Sequence, residues 1–412
     1  MKEKFSQKII ELANRLDGPL YAVGGVVRNY LIDRSFADDV DLCAPVRAEQ
    51  FLKVLKGLSF TVLAEYKKTG TVLFSDGQRK YEYTAFRFDS YNKGEHTPFA
   101  TQFTEDIFKD CKRRDFKCNA VYYDIAKGEY VDPLGGIKDV KNRVLDTVDS
   151  PDKVFCSDGL RLMRLARFSG ELGFTPTKSV NDSAKKFSDN ILDVSVERIC
   201  AELKLILRAD EKYPFSSKTG HFDGLKILLD AGVLGKIFRV KEIKADALDC
   251  LLRADSSIRL PTLIYKIQEG KEKGARELLD VLKIDNKTKS QTLSLIEKIS
   301  IDKDLEMSEG EVRLFLVKNR ALLDKLLKLK VATSEENRLG KVNELILKWQ
   351  AVDRKMKEEN APTSIKELNI SAQDLADLGL KGKDIGKTLD RLFEQVVLHP
   401  EKNNKNTLIT LI

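Results

Sequence analysis

Near Val148 the apolar pattern of this 412-residue chain changes period, and that change limits the architecture more than any other feature. Before it, "LYAVGG", "DVDLCA", "FTVLAEY", "TVLFSD" and "YEYTAFRF" are short runs rich in Val, Tyr, Phe and Thr, punctuated by Gly and Asp, as strands are. Helical patterns lie between some of them, at Val26–Ile32 and Arg47–Leu58. After it, "DGLRLMRLARFSGELGF", "VERICAELKLILRAD" and "FDGLKILLDAGVLGKIF" place apolar residues at helical spacing, and the pattern persists to the last residues. Strands gathered early and helices late predict the α+β class: a small N-terminal unit with a mixed β-sheet and helices, then an all-α remainder. Breaks are expected near Pro151, Lys212–Thr219 and Glu358–Ser364.

Composition narrows the setting. No apolar run reaches the roughly 18 residues of a membrane span, and the first residues, "MKEKFSQKIIELANRLDG", read as a charged amphipathic helix rather than a signal peptide. Six scattered cysteines without a CxxC pair, and only three histidines, argue against zinc and for reduced thiols in the cytoplasm. A net charge of +7 permits a polyanionic partner.

The stretch "YAVGGVVRNYLIDRSFADDVDLCAP" (Tyr21–Pro45) carries the first chemistry. Strand side chains alternate, so Asp39 and Asp41 share one face, with Val40 and Leu42 turned to a core. Parallel carboxylates repel, and a hard oxygen-seeking cation between them relieves the repulsion; Mg²⁺ suits the role and shares its shell with substrate phosphates. Upstream, Gly24-Gly25 ends a strand and opens a helix. Such a turn offers backbone N–H groups to phosphate, and Arg28 adds a charged fork.

Gly-Gly-x-Val-Arg followed by Asp-x-Asp resembles the signature of the polymerase β-like nucleotidyltransferase superfamily. The closest resemblance is to class II CCA-adding enzymes (tRNA nucleotidyltransferases) and bacterial poly(A) polymerases. "KRRDFKCNA" (Lys112–Ala120), "VDPLGGIKD" (Val131–Asp139) and "SDGLRLMRLARF" (Ser157–Phe168) follow in that family's order. The resemblance is strong over roughly the first 235 residues and looser in the tail, "LNISAQDLADLGLKGKDIGKTLDRLFEQV". It implies a catalytic nucleotidyltransferase head over residues 1–147, a base-reading neck over 148–211, a helical body over 212–350 and a tRNA-binding helical tail over 351–412. Asp39 and Asp41 become the catalytic carboxylates and Mg²⁺ ligands. Gly25, Arg28, Arg114, Asp158, Arg161, Arg164 and Arg167 become nucleotide-binding residues. Glu82 and Asp110 are candidates for a third acid.

Asp158, Arg161, Arg164 and Arg167 stand at i+3 spacing, one stripe of a helix, with Leu162, Leu165 and Phe168 off it. By the resemblance, Asp158 and Arg161 form a protein template for the incoming base. The chemistry is consistent: a carboxylate only accepts hydrogen bonds and a guanidinium only donates. Cytosine and adenine each present an exocyclic amine beside a ring-nitrogen acceptor, while uracil and guanine present the reverse. One Asp–Arg pair therefore takes C and A and rejects U and G, at about 1–3 kcal/mol per wrong edge. Arg164 and Arg167 remain for the triphosphate or for holding the helix, and Arg114 is favoured over Arg113 for phosphate.

The sequence departs from the family at Asn29, where an acid is usual, at Asp38, and at Ser157 and Gly159, which replace Glu and Pro. The mixed segment around Gly94 and Pro98 resembles the flexible loop of full CCA-adding members. The expected activity is addition of CCA to tRNA from CTP and ATP. The alternatives are a poly(A) polymerase, a CC- or A-only enzyme, or an inactive RNA-binding helical protein. A dinucleotide-binding oxidoreductase is excluded because GxGxxG is absent. Basic stretches at Val317–Lys330 and Leu380–Lys387 suit phosphate gripping.

Overall fold

The computed structural model describes residues 1–36, 38–90, 100–269 and 271–412. The chain divides into two compact units, Met1–Ala245 with Asp280–Lys283, and Asp246–Leu279 with Ile284–Ile412. Among the described residues no helix is long and apolar enough to cross a membrane, and all six cysteines are free thiols.

The first unit is built on β1 (Tyr21–Val23), β2 (Asp39–Ala44), β3 (Thr61–Tyr66), β4 (Thr71–Ser75), β5 (Lys80–Ala85), β6 (Arg87–Ser90), β7 (Ala100–Phe103), β8 (Tyr122–Asp124) and β9 (Glu129–Val131). Seven of them form one sheet in the order β3-β4-β5-β2-β1-β8-β9, and β6 pairs with β7 alone. Neighbours in the large sheet are antiparallel except β2 and β5, which run parallel. Alternation decides the faces. Val40, Leu42, Val72, Phe74, Tyr81 and Tyr83 are buried on one side, where they meet α1 (Gln7–Arg15) and α3 (Ala48–Gly57), with α2 (Gly25–Asp33) between these in the chain. The Phe51 ring stacks on Tyr83 with centroids 3.6 Å apart. Each such side chain contributes roughly 1.5–3 kcal/mol by leaving water.

The expected strands are all present, with one division. "YEYTAFRF" breaks at Phe86, whose N–H leaves its own ladder to donate to Ala44 O at 2.8 Å. Beyond α4 (Ile107–Lys112), α5 (Gly136–Asn142) and α6 (Pro151–Ser157), the unit is helical: α7 (Leu160–Leu172), α8 (Lys178–Lys186), α9 (Val196–Ile206) and α10 (Gly220–Asp230). Helices α7 and α10 approach backbone to backbone. A Cβ on Gly170 would stand 2.2 Å from Gly220 O, and one on Gly220 would stand 2.3 Å from Gly170 O. Only glycine permits this crossing, which fixes the arginine-bearing helix in place.

The second unit is all-helical, around Leu295, Val312, Leu326, Leu345 and Trp349, with a smaller cluster of Leu368, Leu375, Leu392 and Leu408 in the tail. Here the structure corrects the basic stretch Val317–Lys330. Lys330 is fully buried and donates to Lys298 O at 2.8 Å, Ser300 O at 3.0 Å and Asp304 at 2.5 Å. Lys318 pairs with Glu394 and Lys328 with Asp255 and Asp324, so this stretch presents far less positive charge than its composition suggests. Lys381, Lys383 and Lys387 of the other stretch are exposed.

Candidate active site

Asp39 and Asp41 stand on β2, exposed on the face opposite the core residues Val40 and Leu42. The parallel register sets Asp41 beside Glu82 of β5, and Glu82 is also exposed. Although Asp41 reaches solvent, partial desolvation by the protein around it, reinforced by Glu82 and Asp39 against the pull of Arg114, pushes its carboxyl up to about 6. Among the described residues no three acidic, histidine or cysteine side chains converge into a complete metal cage. Two carboxylates on an open face, resisting a second negative charge, suit a cation that completes its shell with phosphate and water, as Mg²⁺ does.

Gly24 turns the chain from β1 into α2 at φ +76°, and a Cβ there would lie 3.2 Å from Asp41 Oδ2. The turn therefore brings the first backbone N–H groups of α2 close to the carboxylates. One turn into α2, Arg28 is buried. Its Nε and Nη2 donate to Asn29 Oδ1 at 3.1 and 2.9 Å, its Nη1 to Asn119 Oδ1 at 2.6 Å, and its Nη2 to the Tyr213 hydroxyl at 3.3 Å. Asn29, the departure from the family's usual acid, thus still accepts from Arg28.

The segment Arg113–Asn119 supplies the next wall. Asp110 is fully buried and accepts from Arg113 Nε at 2.7 Å, Arg114 Nη2 at 3.1 Å and the Tyr122 hydroxyl at 2.7 Å. It is thereby committed to positioning these two arginines, whereas Glu82 is the acid placed next to Asp41. Burial opposes ionisation of Asp110, but Arg114 and then Arg113 outweigh it and hold the carboxyl at about 2. A carboxyl depressed in the folded state stabilises the fold above its unfolded value near 4, and that contribution of about 2 kcal/mol is lost as pH falls through 2. Acid titration followed by circular dichroism should therefore show a shallower loss of stability between pH 4 and 2 in Asp110→Asn, which starts from a less stable fold; an identical acid limb would refute this role.

Asp115 is buried as well. It accepts from Asn119 Nδ2 at 3.1 Å and from Arg164 Nε at 2.7 Å. Despite its burial, Arg164 and the Asn119 amide hold its carboxyl well below the usual range. A continuous relay, Asn29–Arg28–Asn119–Asp115–Arg164, therefore ties α2, the Arg113–Asn119 segment and α7 together.

The arginine stripe differs from expectation at its start. Asp158 lies before α7 in extended backbone (φ −153°), not on the helix; its Oδ1 accepts from Leu160 N at 2.9 Å and its Oδ2 is 3.9 Å from Arg198 Nη2 on α9. The break lies at Asp158 itself, since Gly159 is already helical (φ −61°, ψ −23°); glycine is needed there because a Cβ would stand 2.0 Å from Asn190 O. Arg161 donates to Ser157 Oγ at 3.0 Å, Val154 O at 3.3 Å and Arg113 O at 2.6 Å. Arg164 and Arg167 are paired with carboxylates, Arg167 with Glu202 at 2.7 Å and Glu171 at 3.5 Å. Phe168, read as a core residue, is buried, and the Arg28, Arg164 and Arg167 guanidinium carbons lie 5.2, 5.0 and 4.3 Å from its ring centre. An aromatic face beneath three cations partly offsets their mutual repulsion.

These groups line one cleft of about 600 Å³, which takes in Gly25, Arg28, Asp41, Arg114, Asp158, Arg161, Arg164 and Arg167. Sequence reasoning missed Arg87, Arg198, Lys212 and Tyr213, which also line it; each comes from an element whose approach depends on the tertiary fold. The expected loop residues 91–99 lie outside the described residues.

Residues 20–146 match the family model described as the poly(A) polymerase head domain. The chain is 30% identical over 235 residues to a CCA-adding enzyme of Geobacillus sp. (strain WCH70), a match that spans about half the length of that curated relative, 54%. It is 27% identical over 395 residues to a CCA-adding enzyme of Bacillus velezensis, covering 94% of this chain and 92% of the other. In fold it resembles the crystal structure of the Bacillus stearothermophilus CCA-adding enzyme in complex with CTP, with a TM-score of 0.75, 21% identity, and coverage of 98% of this chain and 97% of that one. Residues 20–146 thus resemble the poly(A) polymerase head domain, in a chain whose fold matches that of the Bacillus stearothermophilus CCA-adding enzyme.

Proposed function

We propose that this chain adds C, C and A to the 3′ end of tRNA, using CTP and ATP and releasing pyrophosphate, in the cytoplasm. The carrying observation is Asp41, which shares the exposed face of β2 with Asp39 and lines a cleft together with eight arginines and a lysine. In this reading Asp39 and Asp41 hold Mg²⁺, which when bound supplies positive charge for activating the RNA 3′-hydroxyl and for binding the triphosphate in two-metal transfer. The protein's own residues do the rest. The N–H groups at the start of α2, with Arg114, hold the phosphates so that the α-phosphorus faces the 3′-hydroxyl. The paired arginines are already locked by Asp110, Asp115 and Glu202, so little reorganisation is needed as charge builds on the leaving pyrophosphate. Asp158 accepts from the exocyclic amine of cytosine or adenine, and Arg161 donates to the adjacent ring nitrogen. Residues 1–147 carry the chemistry, 148–211 the base reading, and 212–350 and 351–412 hold the RNA.

Arg161→Ala tests the base assignment. Misincorporation of UTP and GTP should rise by about tenfold or more, matching loss of one bidentate edge, with a smaller fall in the CTP rate. An unchanged error rate would remove Arg161 from base selection. The wild-type protein should release one pyrophosphate per nucleotide added.

A further inference from the structure

Most residues of the nucleotide cleft come from the end of β1, the segment before β8 and the helices that follow, on one flank of β2, and Arg87, just past β5, joins them. On the other flank β5, β4 and β3 continue the same face. Their registers make it continuous: Asp41 pairs with Glu82, Glu82 with Leu73, and Leu73 with Ala64. The next row runs Cys43, Thr84, Thr71, Tyr66. In that second row Cys43 and Thr71 are buried, so the open path runs along the first row, where Leu73 and Ala64 are half-buried; Thr84 is half-buried, while Glu82, Lys80 and Tyr66 are exposed, Tyr66 by 54%. Lys67 and Lys68 follow Tyr66 in the turn to β4 and are exposed too. Glu65 pairs with buried Val72 and so belongs to the opposite face.

We infer that this face is the platform for the 3′-terminal nucleotides of the acceptor RNA, with a base stacked on Tyr66 and the backbone held by Lys67, Lys68 and Lys80. The inference rests on the proposed nucleotidyl transfer. In-line displacement places the attacking hydroxyl and the leaving group on opposite sides of phosphorus. With the phosphates drawn toward the cleft arginines, the 3′-hydroxyl arrives from the β5 side. Three strand spacings separate β2 from β3, about 14 Å, which is room for about two nucleotides of single strand. An aromatic side chain beside lysines on an open surface is how single strands are held without sequence readout. A second copy is disfavoured as the occupant: β3 carries a bulge between Val62 and Ala64, a device that bends an edge away from pairing with another chain.

Steady-state kinetics with tRNA lacking its 3′ end, CTP and Mg²⁺ test this on the full-length protein. Tyr66→Ala should raise the acceptor KM about fivefold or more, the usual effect of losing one stacked base, and leave the CTP KM unchanged. Tyr66→Trp, which keeps an aromatic face, should restore the wild-type value. The Lys67→Glu, Lys68→Glu double variant should weaken acceptor binding and flatten its salt dependence. An unchanged acceptor KM in the alanine and double variants, with wild-type incorporation intact, would overturn the platform and leave the proposed function standing. Equal rises in both KM values would also overturn it, as would a dimer in sedimentation that Tyr66→Ala dissolves. A wild-type protein that incorporates nothing would sink the proposed function, and the platform with it.

Discussion

Asp39→Ala should lower nucleotide incorporation by about a thousandfold or more while leaving tRNA affinity within about twofold. The size follows from the position of Asp39. It lies at the start of β2 with its carboxylate exposed, on the same face as Asp41, and its partner in register is Lys80, also exposed. It therefore contributes to no core, and its removal costs charge stabilisation at the reacting centre and little else. Asp41→Ala should behave alike. Gel-shift titration alongside a labelled-CTP assay separates the two effects. Binding lost in parallel with activity would mean that Asp39 shapes the protein rather than the reaction.

The second large effect is on stability. Gly170→Leu should destabilise the fold by about 3 kcal/mol or more, lowering Tm by several degrees. Its Cβ would meet Gly220 O at 2.2 Å and Gly220 C at 3.0 Å. Both are backbone atoms, so no rotamer relieves the clash, and α7 would have to separate from α10. Because α7 carries Arg161, Arg164 and Arg167, the surviving folded fraction should also show weakened nucleotide selection. Gly340→Ala is the control. Nothing lies within 4 Å of its Cβ, and it sits within the helix Leu339–Glu358, so it should be neutral or stabilising by roughly 0.5–1 kcal/mol. A Gly170→Leu protein with wild-type Tm would contradict the close crossing.

What was legible in the sequence follows from how local each feature is. The placement of Asp39 and Asp41 on an exposed face needs only the two-residue period of a strand, and the Gly24-Gly25 turn needs only its neighbours. The arginines of α7 were legible from helical spacing, but Asp158 was not, because its own extended backbone leaves the i+3 arithmetic intact while moving the residue off the helix. Lys330 shows the opposite limit. Composition counts it as a surface cation, yet Asp304 and two backbone carbonyls hold it inside a helical core. Burial lowers the basicity of its amine against the pull of Asp304. Arg198, Lys212 and Tyr213 reach the cleft only through packing of distant helices, for which no short-range signal exists. The roles of Asp110 and Asp115 likewise depend on contacts with Tyr122 and Arg164 that spacing alone does not specify.

The most direct measurement is sequencing of RNA 3′ ends after incubating the protein with tRNA lacking its terminal nucleotides, Mg²⁺, CTP and ATP, together and singly. Ordered addition of C, C and A that then stops is the predicted result. A long A-tail, addition of C or A alone when both nucleotides are present, or no extension would contradict it.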